Sequence, residues 1–233
     1  AASYLKTNGT IVDPIQQQCN LLEHFCNPIH PYTGPDLHHG AYLFNANLQN
    51  AILPRADLSG ADLRYAILKE VNLAKADLYY ANLSNARLND ASLRSANLSY
   101  AQLAEADLTG ANLTDANLSY ARPTNANLTE ANLTGANLSN IVLSDAVLTD
   151  ATLIDTFLID AFVINADLTG ADLTRARLWN SILSGTKLDN SNLTGADLRY
   201  AVLTGVSFRT ANLAGANLTG TDLRRASLFF ATA

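Results

Sequence analysis

Methionine is absent from this 233-residue chain, cysteine occurs twice, tryptophan once, and aromatic residues amount to only 7%. Two cysteines exclude a disulfide-built scaffold. No run of eighteen apolar residues occurs, so no transmembrane helix and no membrane insertion are expected. Charged residues are 15% of the chain, with 15 Lys+Arg against 21 Asp+Glu and a formal net charge of −6. That sign argues against nucleic acid as a partner, because phosphate binding needs a basic face. Hydrophobic residues still reach 48%, enough for a core, yet nearly all of them are Leu and Ala. An ordinary globular core is not stocked that way. The length suits one domain with a small appendage.

What the chain does have is a repeat. From Ala41 to Phe230 it divides into thirty-eight consecutive blocks of five without an insertion. The third position is Leu everywhere except Pro123, Val163 and Phe208. The first is Ala in thirty blocks; the others are Val71, Ile141, Thr156, Ser181, Thr186, Ser191, Val206 and Thr221. The second is mostly Asn or Asp, and the fourth is often Ser or Thr. A period of five fits neither a helix nor a long flat strand. Within one block, positions 1 and 3 of an extended chain point the same way and position 2 points opposite. Positions 4 and 5 must then turn the chain, and Asn, Asp, Ser and Gly tolerate such turns. The pattern therefore predicts a coil with Ala and Leu inside and the other positions outside. Hydroxyls at Thr156, Ser181, Thr186 and Ser191 would be buried and should bond backbone. Pro123 lacks an N–H, so the ladder should be irregular there.

This pattern resembles the pentapeptide-repeat proteins, over the whole of 41–230. The resemblance implies an all-β fold, a right-handed four-sided β-helix with twenty residues per coil, hence about 9.5 coils here and a rod roughly 45 Å long. Columns at intervals of twenty agree with it: Tyr80, Tyr100, Tyr120 and Tyr200 share one. Tyr42, Val142, Phe162, Ile182 and Val202 share another. The resemblance also points to bacteria, cyanobacteria above all. Some members of the family bind a type II topoisomerase by imitating duplex DNA.

Residues 1–40 are out of phase and read as a cap, since a solenoid end exposes core. Asp13-Pro14 is a helix start. Ile15, Cys19, Leu22 and Cys26 form a helical apolar stripe, which predicts a helix over 14–26. Asn8-Gly9 marks a tight turn between two short extended pieces, 4–6 and 10–12. In one unbroken helix Cys19 and Cys26 would lie ~10.5 Å apart along the axis, too far to bond. Either the helix ends before Cys26 and the two pair, or both are buried thiols. His24, His30, His38 and His39 share this region, but without the paired spacing of a zinc site. No metal and no cofactor are expected. The missing Met and the start Ala1-Ala2-Ser3 read either as a removed leader, which would imply export to a periplasm or thylakoid lumen, or as a trimmed start, which leaves the cytoplasm open.

An enzyme is not expected. Ala and Leu fill a narrow coil and leave no internal pocket, and every His lies in the cap. Asp145, Asp150, Asp155 and Asp160 fall on four different corners of one coil, too far apart to share a cation. The expected function is a rod that binds another, unidentified protein. The alternative is a DNA-mimic inhibitor of a type II topoisomerase. Residues 101–170 hold nine acids against the single Arg122, whereas 171–233 hold four acids against seven bases, so only the waist is acidic. Columns of Thr, such as Thr109, Thr129, Thr149 and Thr169, raise ice binding as a third idea.

Two surfaces depart from what the repeat requires. Val142, Phe162, Ile182 and Val202 put apolar side chains at the outward position 2 on successive coils, a stripe about 15 Å long. Phe157, Ile159 and Trp179 lie on the neighbouring side, and Ile164 lies in the block of Phe162. Such a patch marks a contact surface for a partner or a second copy, unless it only stiffens the ladder. At the other extreme, Leu228, Phe229 and Phe230 close the repeat before a 231–233 tail. They are candidates for an end-to-end homodimer contact, or the two Phe rings plug the end.

Overall fold

The computed structural model describes residues 6–7, 10–11 and 40–232. The expected helix over 14–26, Cys19, Cys26 and the four histidines lie outside the described residues. Two short strands, β1 (Lys6–Thr7) and β2 (Thr10–Ile11), pair antiparallel on either side of Asn8-Gly9, with Lys6 opposite Ile11.

From Tyr42 onward, position-2 residues form parallel bridges to the residue twenty further on, from Tyr42 with Asp62 to Asn212 with Thr232. Twenty residues are four blocks, so each block makes one side of a coil. The fold is a β-solenoid. The position-3 N–H donates to the next coil, as Leu108 does to the Asn127 carbonyl at 2.7 Å. The position-2 N–H donates back to the coil before, as Asn127 does to the Ala106 carbonyl at 2.9 Å. Ala231 and Thr232, expected as a tail, continue the pattern: the Thr232 N–H donates to the Ala211 carbonyl at 3.0 Å.

Each corner is a turn closed by the N–H of the next position 1 on the carbonyl of position 3, as in Ala111 on Leu108 at 2.9 Å. Such a turn needs a positive φ at its third residue. Every position 5 from Asn45 to Phe230 meets that need, with φ between 55° and 74°. Asn, Asp and Gly accept this region most readily, which accounts for their abundance there. Gly170 has a second reason: a Cβ would collide with the Asp150 carboxylate of the coil below. The Asn or Asp at position 2 holds the turn from outside. Asn127 Oδ1 accepts the Thr129 N–H at 3.1 Å and its hydroxyl at 2.6 Å. This is an Asx turn, and it explains the pairing of position 2 with Ser or Thr at position 4. Arg at position 4 does the same by a two-pronged contact, as Arg199 does with Asp197.

Inward residues from Ala51 to Leu213 form one continuous core, none of its hydrophobic members more than 4% exposed. Each buried Leu contributes roughly 1.5–3 kcal/mol, so the stack of Leu columns is the main stabilising term. The four buried hydroxyls bond backbone as expected. Thr156, Ser181 and Ser191 donate to the carbonyl three residues back, at 2.7, 2.6 and 2.6 Å. Thr186 instead reaches the Val163 carbonyl on the coil below.

The ladder is broken at Pro123. The bridge that would join Arg122 to Val142 is missing, and the Leu103 N–H on the Arg122 carbonyl is stretched to 3.2 Å. Restoring Leu returns the N–H aimed at the Val142 carbonyl, a bond that contributes about 1 kcal/mol, and adds a methylene to a buried site, about 0.8 kcal/mol. Loss of proline's restraint on the unfolded chain offsets roughly 0.4–1 kcal/mol of that gain. Pro123→Leu should therefore raise stability by about 1 kcal/mol. Urea denaturation followed by circular dichroism checks this; a lower midpoint would mean that the coil has adapted to proline.

Candidate interaction surface

Parallel bridges join Val142 to Phe162, Phe162 to Ile182 and Ile182 to Val202, so the four residues lie one above another on a single side. Phe162 is the projecting member at 43% exposed, while Val142, Ile182 and Val202 are half-buried. Around the corner formed by Asp160 and Asn180, Trp179 is 42% exposed. Ile159 and Ile164 are half-buried beside the stripe. Phe157 is separated from it: the Arg177 guanidinium sits 4.8 Å from its ring centroid and covers it. The structure thus stacks Val142, Phe162, Ile182 and Val202 on one side with Ile164 at one flank, sets Ile159 and Trp179 one above the other round the opposite corner, and leaves Phe157 shielded.

An open groove of about 390 Å³ runs along the stripe, with Phe162, Ile182 and Val202 on one wall and Asn140, Asp160 and Asn180 on the other. Sequence reasoning did not anticipate it. The signal was present in the Tyr column, which is interrupted at those three positions. Below them Tyr80, Tyr100 and Tyr120 stack with centroids 4.9 and 4.8 Å apart, near parallel at 16° and 6°. A ring on every coil fills that corner; amide and carboxylate side chains leave it open. On the next side, an amide ladder climbs from Asp77 through Asn97 and Asn117 to Asn137, with bonds of 2.9, 3.3 and 3.3 Å. It stops where Phe157 begins.

At the last coil, Leu228 is 47% and Phe230 72% exposed. The Phe229 and Phe230 rings pack on each other with centroids 4.2 Å apart. The Arg209 guanidinium lies 6.0 Å from the Phe229 centroid. The rings therefore pack at the side of the coil and leave Leu228 exposed, so the plug geometry is not the one formed. Most of the Thr columns are committed internally: Thr109, Thr129 and Thr169 donate to Asp107, Asn127 and Asp167 at 2.6 Å, and Thr194 to Asn192 at 2.6 Å. Those protons are not free to order water, and Thr149, which follows Val147, breaks the column because it makes no such bond among the described hydrogen bonds.

The sequence matches the family described as Pentapeptide repeats, in eight copies, over 41–78, 72–110, 106–145, 126–162, 146–190 and 191–228. The chain belongs to the pentapeptide-repeat family. Among solved structures it is similar to HetL, a pentapeptide repeat protein involved in heterocyst differentiation regulation from the cyanobacterium Nostoc sp. Strain PCC 7120. Identity is 38%, covering 83% of this chain and 91% of that one, with a TM-score of 0.63. QnrB1, a plasmid-mediated fluoroquinolone resistance protein, shares the fold at 14% identity, covering 77% of this chain and 90% of that one, with a TM-score of 0.55. No curated protein matches.

Charge sets this pentapeptide-repeat protein's waist apart from its ends. The four Asp of 145–160 occupy separate corners as expected. Asp155 is gripped by Arg175 of the coil above at 2.8 and 2.6 Å, which holds its carboxyl below the usual range. Lys187 reaches down to Asp167 at 3.0 Å. Burial pushes the Asp167 carboxyl up, but hydrogen bonds from Thr169 and Lys187 outweigh it. The basic upper coils are thus stitched to the acidic waist. Asp160 accepts only the Asn180 amide, at 2.6 Å, among the described hydrogen bonds. No group of three or more His, Cys, Asp and Glu is placed to hold a metal among the described residues. No helix among them is long and apolar enough to cross a membrane.

Proposed function

We propose that this chain is a non-catalytic, rod-like interaction scaffold that docks protein through the Val142–Phe162–Ile182–Val202 side, with Trp179 at its corner. The winding is the family's right-handed, four-sided one, about 9.5 coils over 41–230, with residues 1–40 as a cap. The observation that carries the reading is the ladder of four apolar residues at positions that the repeat gives to Asn and Asp elsewhere. Nothing inside the fold needs them, because Ala and Leu already fill the core. Aromatic anchors in an exposed apolar patch are what protein contacts use. Ile159 and Ile164 form the flanks of this surface, and Phe157 lies beyond it under Arg177; Leu228, Phe229 and Phe230 are a separate candidate contact at the last coil. A regulatory role of the kind named for HetL fits a protein that acts by occupying a partner. Phe162→Asp combined with Trp179→Ala should abolish recovery of partners from native extract and leave the fold unchanged by circular dichroism. Unaltered recovery and oligomeric state would show the stripe to be structural.

A second reading, mimicry of DNA toward a type II topoisomerase, rests on the acidic waist. The seven bases against four acids of 171–233 work against it, since a mimic should be acidic along its length. Supercoiling by gyrase, unchanged at micromolar protein, would dispose of it. Export, to periplasm or thylakoid lumen, belongs to the same proposal. Two titratable thiols from Cys19 and Cys26 in unreduced protein from its native compartment would count against both a disulfide and export.

A further inference from the structure

We propose that the occupant of the stripe is a second copy of this chain, packed antiparallel about a two-fold axis that crosses the side between Phe162 and Ile182. The proposal rests on the reading of the stripe as a docking surface and names what docks there. In a contact between identical surfaces each column meets itself inverted. The column concerned runs Arg122, Val142, Phe162, Ile182, Val202, Asp222 on successive coils. Inverted about its centre, it sets Val142 against Val202 and Phe162 against Ile182. Its two ends then set Arg122 of each copy against Asp222 of the other, a carboxylate that Arg224 of its own coil already grips at 2.9 and 2.6 Å and to which Arg122 would add a second cation. Apolar residues meet apolar ones, and both ends close on opposite charge.

The relief and the wider charge agree with the same inversion. Phe162, 43% exposed, comes opposite the half-buried Ile182 and enters the second copy's groove between Ile182 and Asn180. Along the corner, Asp160 of each copy comes opposite Asn180 of the other. Each Asp160 already accepts one Asn180 amide within its own chain, and the free N–H of the facing amide gives the carboxylate a second donor. At larger scale the waist, with nine acids and one base in 101–170, lies alongside the coils of 171–233, with seven bases and four acids. A parallel pair would instead place Arg122 on Arg122 and waist on waist. Complementary charge of this kind fixes orientation more than it adds affinity.

Light scattering and sedimentation on the full chain test this. The wild type is expected to be a dimer in the micromolar range, and Phe162→Asp a folded monomer. Arg122→Asp alone and Asp222→Arg alone each place like charges across the axis, and each should weaken the dimer by about tenfold or more. An equimolar mixture of the two should restore it, because Asp at 122 then faces Arg at 222; a parallel pair, which already sets Arg122 on Arg122 and Asp222 on Asp222, would not be weakened by either single change. A wild type that is monomeric throughout, or a mixture as dissociated as its components, overturns the proposal. If the wild type is monomeric while Phe162→Asp with Trp179→Ala still loses a different protein, the second copy is wrong and the docking surface remains. If neither changes, both are wrong.

Discussion

Leu138→Ala should lower the stability of the rod by about 2–5 kcal/mol, the range for emptying a buried Leu site. Leu138 is fully buried at position 3. Its coil pairs with those below and above through Asn117–Asn137 and Asn137–Phe157 bridges. The Leu column is therefore continuous at that level, and the missing side chain leaves a gap between neighbours held in place by backbone ladders on every side. Such a site cannot collapse, so the cost should fall in the upper half of the range. In a solenoid each coil contacts only its neighbours, and a weakened junction in mid-rod uncouples the halves. Urea denaturation should therefore shift to a lower midpoint and broaden or split. The control is the adjacent outward residue. Asn137→Ala removes an Asx turn and one rung of the amide ladder, both only half-buried at the outer surface, and should cost about 1 kcal/mol. Equal costs for the two variants would contradict the inward assignment of position 3.

The second large effect is expected at Thr186→Val, an almost isosteric change that should cost about 1–3 kcal/mol. In the block of Val163 the corner hydrogen bond is not made: no bond joins the Ala166 N–H to the Val163 carbonyl, although the equivalent bond is present in every other block from 41 to 230. The Thr186 hydroxyl, from the coil above, supplies the donor instead. Removing it leaves a carbonyl unpartnered in the core, and the full desolvation penalty then applies. Thr156→Val is the comparison. The Leu153 carbonyl that Thr156 contacts keeps the Thr156 backbone N–H at 3.3 Å, so losing the hydroxyl should cost about 1 kcal/mol or less. Chemical denaturation of the two variants side by side reads the difference. Equal losses would mean that Val163 finds another donor.

The candidate surface was legible to the extent that it depends on the period. Once twenty residues make a coil, Val142, Phe162, Ile182 and Val202 must share a column, whatever their rotamers. Exposure was not legible, because it depends on what neighbouring columns do. Phe157 was expected on the patch and is covered, since Arg177 happens to stand directly above it and offers a cation to its ring. The groove beside the stripe is the converse case: it exists because three polar side chains at one corner fail to fill the space that Tyr rings fill lower down.

The five-residue pattern by itself determined the inward and outward positions, the turn at positions 4 and 5, the gap at Pro123 and the backbone bonding of the four buried hydroxyls. All of these are set within a block or by identical contacts from block to block. Stacking repeats the same local geometry, so nothing in them waits on a particular distant residue. Only the tertiary structure decided which carbonyl Thr186 serves, that the Phe229 and Phe230 rings pack at the side of the last coil, and which apolar residues remain open to a partner. Those outcomes turn on side chains eighteen to twenty-three residues apart competing for the same space, and a repeat that is nearly uniform at the inward positions carries no information about contests on its outer surface.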